Sequence, residues 1–168
     1  VGLVTGGGRG IGKAVALALA KAGAKVAVTS RKQNELEGTV AEIRAFGGEG
    51  LAVPAHLGKI EEIQKTAGTV LEKFGKIDIL VNNAGTSPAM ASVLDADERL
   101  WETIMNLNLK GLYFTSQAVA RIMKKQGNGK IINVASVDGF RPELGVSVYS
   151  ISKAAVRMVT KAFSIELA

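Results

Sequence analysis

Val1-Gly2-Leu3-Val4-Thr5-Gly6-Gly7-Gly8-Arg9-Gly10-Ile11-Gly12 is the stretch that decides the fold. The first five residues read as a short apolar strand, and the glycines after them as a turn. Ala14 to Ala22 then supplies a helix, with Val15, Leu17 and Leu19 set among alanines. Strand, glycine turn and helix in that order bring backbone N–H groups and a helix N-terminus against a phosphate, because glycine removes the Cβ that would block the approach. Gly6, Gly10 and Gly12 give the spacing G-x-x-x-G-x-G, which departs from the dinucleotide fingerprint G-x-G-x-x-G. No G-K-[ST] follows, so the loop is not a Walker loop.

Working outward, strand and helix signals alternate. Lys25–Thr29 is a second strand, followed by a helix near Lys32–Phe46 closed by Gly47-Gly48. Gly50–Pro54 is a third strand and Lys59–Phe74 a helix ended by Gly75. Ile77–Val81 reads as a buried strand that stops at Asn82-Asn83-Ala84-Gly85. One long helix is expected near Asp97–Lys125, a fifth strand at Lys130–Ala135, and a last helix from about Val146. This alternation predicts βαβ units and a parallel sheet in a single α/β domain spanning residues 1–168. In such sheets ligands bind at the carboxyl ends of strands. The glycine loop, Ser30-Arg31, Asn82–Gly85 and Ser136 all follow strands, so they converge on one edge.

Composition narrows the function. The 168 residues carry a formal charge of +6, but no run of Lys and Arg exceeds two and aromatic residues make up 5 %. That favours a basic surface with an anionic cofactor over nucleic-acid binding. Without cysteine, thiolate catalysis and Cys-metal sites are excluded, and with His56 as the only histidine no metal site or Ser-His-Asp triad is expected. No apolar stretch is long enough to span a membrane and no signal peptide is legible, so a cytoplasmic location is expected. The chain opens on Val1 rather than Met, so it is expected to lack its natural N-terminus.

Ser30 lies where an NAD site usually carries an acid for the ribose 2′-hydroxyl, and Arg31 follows it. With Arg9 in the glycine loop, two guanidinium groups and a hydroxyl suit a 2′-phosphate, which predicts NADP over NAD. The alternative is that Arg31 only opens a solvated helix.

Tyr149 and Lys153 are four residues apart, on one helical face. An ordinary tyrosine titrates at about 10, and bringing it to neutrality takes roughly 4 kcal/mol, part of which a neighbouring lysine cation supplies. Ser136, on the segment after the fifth strand, can hydrogen-bond the same substrate oxygen. The chemistry suggested is proton transfer at a carbonyl or alcohol oxygen.

Taken together, these motifs resemble the short-chain dehydrogenase/reductase family, of the ordinary type of about 250 residues. Thr5-Gly6-x-x-x-Gly10-x-Gly12 is similar to its cofactor loop, Asn82-Asn83-Ala84-Gly85 to its N-N-A-G segment, and Asn108-Leu109-Lys110-Gly111 to its N-x-x-G segment. Ser136 with Tyr149-x-x-x-Lys153 is similar to its catalytic serine and Y-x-x-x-K. The resemblance implies a three-layer, doubly wound Rossmann fold with strand order 3-2-1-4-5, Asn82–Gly85 facing the glycine loop across the switch point. It implies a catalytic set of Asn108, Ser136, Tyr149 and Lys153. Tyr149 would be the acid or base, Lys153 would lower its pKa and hold the nicotinamide ribose, Ser136 would polarise the substrate, and Asn108 would hold a water. Cofactor contacts are expected from Thr5, Gly6, Arg9, Gly10, Ile11, Gly12, Ser30, Arg31, His56, Leu57, Asn83, Ala84, Gly85, Tyr149 and Lys153.

Two departures stand out. His56-Leu57 occupies the end of the third strand, where the family usually has an aspartate beside adenine. The chain also ends at Ala168, so the family's later, substrate-covering elements are expected to be absent. The function expected is NADP(H)-dependent hydride transfer on a small carbonyl or secondary alcohol: a sugar acid, a 3-oxoacyl thioester or another. The alternatives are a nucleotide-binding relative without turnover and an inactive fragment. Self-association as a dimer or tetramer is expected through the helices near 97–125 and 146–168. The candidate positions are Leu107, Leu112, Phe114, Val119, Met123, Val156, Val159 and Phe163.

Overall fold

A computed structural model describes residues 1–168. Five strands form one sheet: β1 (Gly2–Thr5), β2 (Val26–Ser30), β3 (Gly50–Pro54), β4 (Ile79–Asn82) and β5 (Lys130–Asn133). Their order is β3-β2-β1-β4-β5 and every pairing is parallel. The helices are α1 (Gly10–Lys21), α2 (Gln33–Ala45), α3 (Ile60–Phe74), α4 (Glu98–Met105), α5 (Leu112–Gln126) and α6 (Ser147–Leu167). No helix is long and apolar enough to cross a membrane.

Alternate residues of each strand point to opposite faces, and both faces of β1, β2 and β4 are covered. Val4, Val26, Val28 and Val81 pack on α1 and α2 through Ala16, Ala20, Leu36, Val40 and Ile43. Leu3, Ala27 and Leu80 pack on α3 and α5 through Ala67, Val70, Val119 and Met123. This is the three-layer, doubly wound arrangement, and strand order 3-2-1-4-5 puts the switch point between β1 and β4, as expected.

Several boundaries move. The first helix starts at Gly10 rather than Ala14, because glycine tolerates the end of the turn as well as the first helical turn. The fourth strand shifts to Ile79–Asn82, and the fifth stops at Asn133. The single long helix is interrupted. Asp97 caps α4 by accepting a hydrogen bond from Leu100 N–H at 2.7 Å, but Asn106–Gly111 is a π-helical segment before α5 begins. Helix periodicity cannot reveal a one-residue insertion of this kind, which characteristically marks functional positions.

The apolar residues assigned to self-association divide differently. Val119 and Met123 belong to the sheet core, and Leu112, Val156 and Val159 form the α5–α6 contact. These five are buried within the protomer and offer nothing to a second copy. Leu107, Phe114 and Phe163 are half-buried against the same packing. What α6 does expose is Ile151, Met158 and Ile165, spaced seven apart on one face.

Candidate functional site

The carboxyl ends of β1, β2, β3 and β4 surround a cavity of about 690 Å³. Its wall includes Gly6, Arg9, Gly10 and Ile11 from the glycine loop, Ser30 and Arg31 after β2, His56 and Leu57 after β3, and Asn83, Ala84 and Gly85 after β4. Thr5 and Gly12, named with them from the sequence, lie behind the wall and shape it. Thr5 Oγ1 accepts hydrogen bonds from the backbone N–H groups of Asn83 at 2.9 Å and Ala84 at 3.0 Å. The Asn83 amide donates to the carbonyls of Thr5 at 3.0 Å and Gly6 at 3.4 Å. The two loops are therefore stitched together across the switch point. A Cβ on Gly12 would overlap the Gly6 carbonyl, so only glycine lets α1 approach β1 this closely.

The loop fits a dinucleotide phosphate. Helix α1 starts with no side-chain cap and no acid in its first turn, so its leading N–H groups have no internal acceptor. Arg9 and Arg31 face the same cavity. The wall also contains Lys32 and Glu35, which sequence reading missed. They pair at 2.9 Å across the first turn of α2 from its N-cap, so a carboxylate and a third cation stand in the wall next to Ser30 and Arg31. The i, i+3 spacing was the signal available. Arg99, Glu102, Thr103, Asn106 and Leu107 close the far side, an assignment that required knowing where α4 packs.

His56 is held from both ends. Its backbone N–H donates to Glu62 at 2.6 Å, and its Nδ1 accepts from Gly58 N–H at 3.1 Å. The first bond, then Lys59, holds the Glu62 carboxyl below the ordinary range. An Nδ1 acceptor leaves the neutral ring's proton on Nε2.

Asn108, Ser136, Tyr149 and Lys153 do not line this cavity; they lie beyond it, where Gly85 borders both regions. A Cβ at Gly85 would sit 3.4 Å from Asn108 Oδ1 and 3.6 Å from Lys153 Nζ. Asn108 is 1 % exposed, in the π-helical segment. Its Oδ1 accepts from Thr86 N–H at 2.7 Å, and its amide donates to the Thr86 carbonyl at 3.0 Å and to Ser152 Oγ at 3.1 Å. Ser152 in turn donates to the Tyr149 carbonyl at 2.6 Å. Lys153 is 5 % exposed; its Nζ donates to the Val134 carbonyl at 2.9 Å and lies 5.7 Å from the centre of the Tyr149 ring. Burial pushes the Lys153 ammonium below the ordinary lysine range. Ser136 caps a short 3₁₀ turn (Val137–Gly139): its Oγ accepts from Asp138 N–H and donates to the Asp138 carboxylate, both at 3.2 Å. Thr86 and Ser152, unremarked in the sequence, complete the polar network.

A doubly wound parallel sheet with a glycine-loop cavity at its switch point, bordered by a buried lysine near a tyrosine, defines a Rossmann-type nucleotide-binding domain. The chain belongs to the short chain dehydrogenase family, whose model matches residues 1–168. It is 43 % identical over 170 residues to a 3-oxoacyl-[acyl-carrier-protein] reductase from Synechocystis sp., covering all of this chain and 68 % of that protein. It is 40 % identical over 171 residues to dehydrogenase/reductase SDR family member 4 from Homo sapiens, covering 60 % of that protein. The crystal structure of an NAD⁺-bound xylitol dehydrogenase superposes with a TM-score of 0.96 at 34 % identity, over 99 % of this chain and 64 % of that one. The chain thus spans about two thirds of the length of these relatives.

Proposed function

We propose that this chain is the cofactor-binding and catalytic part of an NADP(H)-dependent oxidoreductase acting on a carbonyl or secondary alcohol. The observation that carries the reading is the shared border at Gly85, where the dinucleotide cavity meets Asn108 and the buried Lys153. Bound nicotinamide supplies or accepts the hydride. The protein's own part is placement and proton handling. Tyr149 gives a proton to the substrate oxygen in reduction and takes it in oxidation, with Lys153 Nζ 5.7 Å from the centre of its ring. Ser136 Oγ fixes the substrate oxygen by turning its one hydroxyl hydrogen away from the Asp138 carboxylate, and Asn108 keeps the Lys153 side polar.

Arg9 and Arg31, which pair with no carboxylate, support a 2′-phosphate contact, while Lys32 and Glu35 pair with each other in the same wall. A 3-oxoacyl thioester is the substrate class to test first, given the Synechocystis relative, and a sugar alcohol or sugar acid the second, given the xylitol dehydrogenase. Titration with NADPH and NADH by fluorescence, followed by turnover of acetoacetyl-N-acetylcysteamine and of xylitol, tests the reading. Tight NADPH binding with turnover of one substrate supports it. No binding of either cofactor by the protein would sink it.

A further inference from the structure

The 3₁₀ turn after Ser136 is held on α6 from the far side of Lys153. Arg157 follows Tyr149 and Lys153 by successive steps of four, so all three share one face of the helix. Its guanidinium donates from Nη1 to the Gly139 carbonyl at 3.1 Å and lies 3.2 Å from the centre of the Phe140 ring. It pairs with no carboxylate, so these two contacts account for its placement. Gly139 itself presses on the helix: a Cβ there would come within 2.8 Å of the Lys153 carbonyl carbon and 3.0 Å of Ala154 N. Gly139 N–H returns to the Ser136 carbonyl at 3.2 Å, closing the turn that Ser136 caps.

We propose that Arg157 is a positioning residue that sets the register of Ser136 against the Tyr149–Lys153 turn of α6. The inference rests on the proposed function in one respect, that Ser136 touches the substrate oxygen. The physical argument is one of leverage. The turn has three backbone hydrogen bonds of its own, from Gly139, Phe140 and Arg141, and all of them are internal to residues 136–141. They fix its shape but not its place. Van der Waals contact at Gly139 sets how near it comes to α6. The Arg157 bond and stack stop it sliding along the helix or lifting away, using a planar fork that can donate at its edge while its face lies on a ring. A sub-ångström shift of Ser136 relative to Tyr149 is enough to misalign two groups that must reach one oxygen atom.

The test is a double-mutant cycle on the active protein, with NADPH and acetoacetyl-N-acetylcysteamine, combined with amide hydrogen exchange. Arg157→Gln should lower kcat about tenfold while leaving the NADPH dissociation constant within about twofold. Arg157→Gln placed on Ser136→Ala should cost nothing further, since the residue acts through the serine. Exchange at Gly139 and Arg141 should rise in Arg157→Gln and in Phe140→Ala, with the sheet amides unchanged. Losses that add in the double variant, or an exchange pattern identical to wild type, overturn the proposal. A Ser136→Ala variant with full activity would instead overturn the assigned role of Ser136, and exchange would still decide whether Arg157 holds the turn.

Discussion

Lys153 is a charged side chain with almost no access to water, anchored by one hydrogen bond to a backbone carbonyl. A lysine whose folded pKa is depressed binds its proton less readily than in the unfolded chain. Between that lowered value and the ordinary 10.5, the unfolded state holds more protons, so wild-type stability gains as pH rises through this window. Lys153→Met lacks that dependence. Thermal melts at neutral and alkaline pH should show the stability difference moving in favour of wild type as pH rises, while the variant is inactive at both. Tyr149→Phe separates chemistry from binding: turnover should fall by about 10²–10⁴-fold with NADPH still bound, because only the proton donor is lost. Retention of a tenth of the wild-type rate would remove Tyr149 from its assigned role. At the ribose end, Ser30→Asp with Arg31→Ala should reverse the cofactor preference. Losing one charge-assisted phosphate contact costs about 1.5–3 kcal/mol, roughly 10- to 160-fold in NADPH affinity, read by titration. Tyr149, Lys153 and Ser136 were singled out as candidates by their spacing together with the motifs around them. Thr86 and Ser152 were not, because an ordinary threonine and an ordinary helix serine acquire meaning only when Asn108 is placed between them.

Elements position these residues by close backbone approach. Helix α1 meets β1 where Gly12 faces the Gly6 carbonyl, and the Asn83 amide lies in the same space. Gly12→Ala should destabilise the domain by about 1–3 kcal/mol through overpacking and weaken NADPH binding in proportion to the displacement of the loop. Chemical denaturation and cofactor titration check the two effects. The π-helical segment is the other such device. It carries Asn108 inward, and Gly111 within it lies against the Leu57 carbonyl, tying the segment to the loop that bears His56. The strands and most helices were readable because their apolar periods of two and 3.6 are local properties. The π-helical segment was not, since a one-residue insertion within a helix leaves the apolar pattern on either side of it readable as helix.

For the whole molecule, the parallel sheet buries apolar side chains on both faces, and β5 is its outer strand on one side. With Leu112, Val119, Met123, Val156 and Val159 internal, we propose the exposed face of α6 as the surface for self-association. Ile151, Met158 and Ile165 repeat there at seven-residue spacing, an exposed apolar stripe. Met158→Glu should shift sedimentation toward monomer without lowering thermal stability in the monomeric fraction. An unchanged sedimentation profile would return the interface to another surface.

By itself the sequence determined the class of architecture, the order of its elements and the residue types at the carboxyl edge of the sheet. Those follow from local patterns: alternation, glycine turns after strands and a four-residue step on a helix. Only the tertiary structure decided that Thr5 and Gly12 stand behind the cavity and that Val119 and Val156 belong to the core. It also decided that Arg157 reaches the turn after Ser136. Each of these depends on which face of one element meets another. That is a property of packing between segments 18 to 78 residues apart in some of the bonds concerned, and no local pattern encodes it.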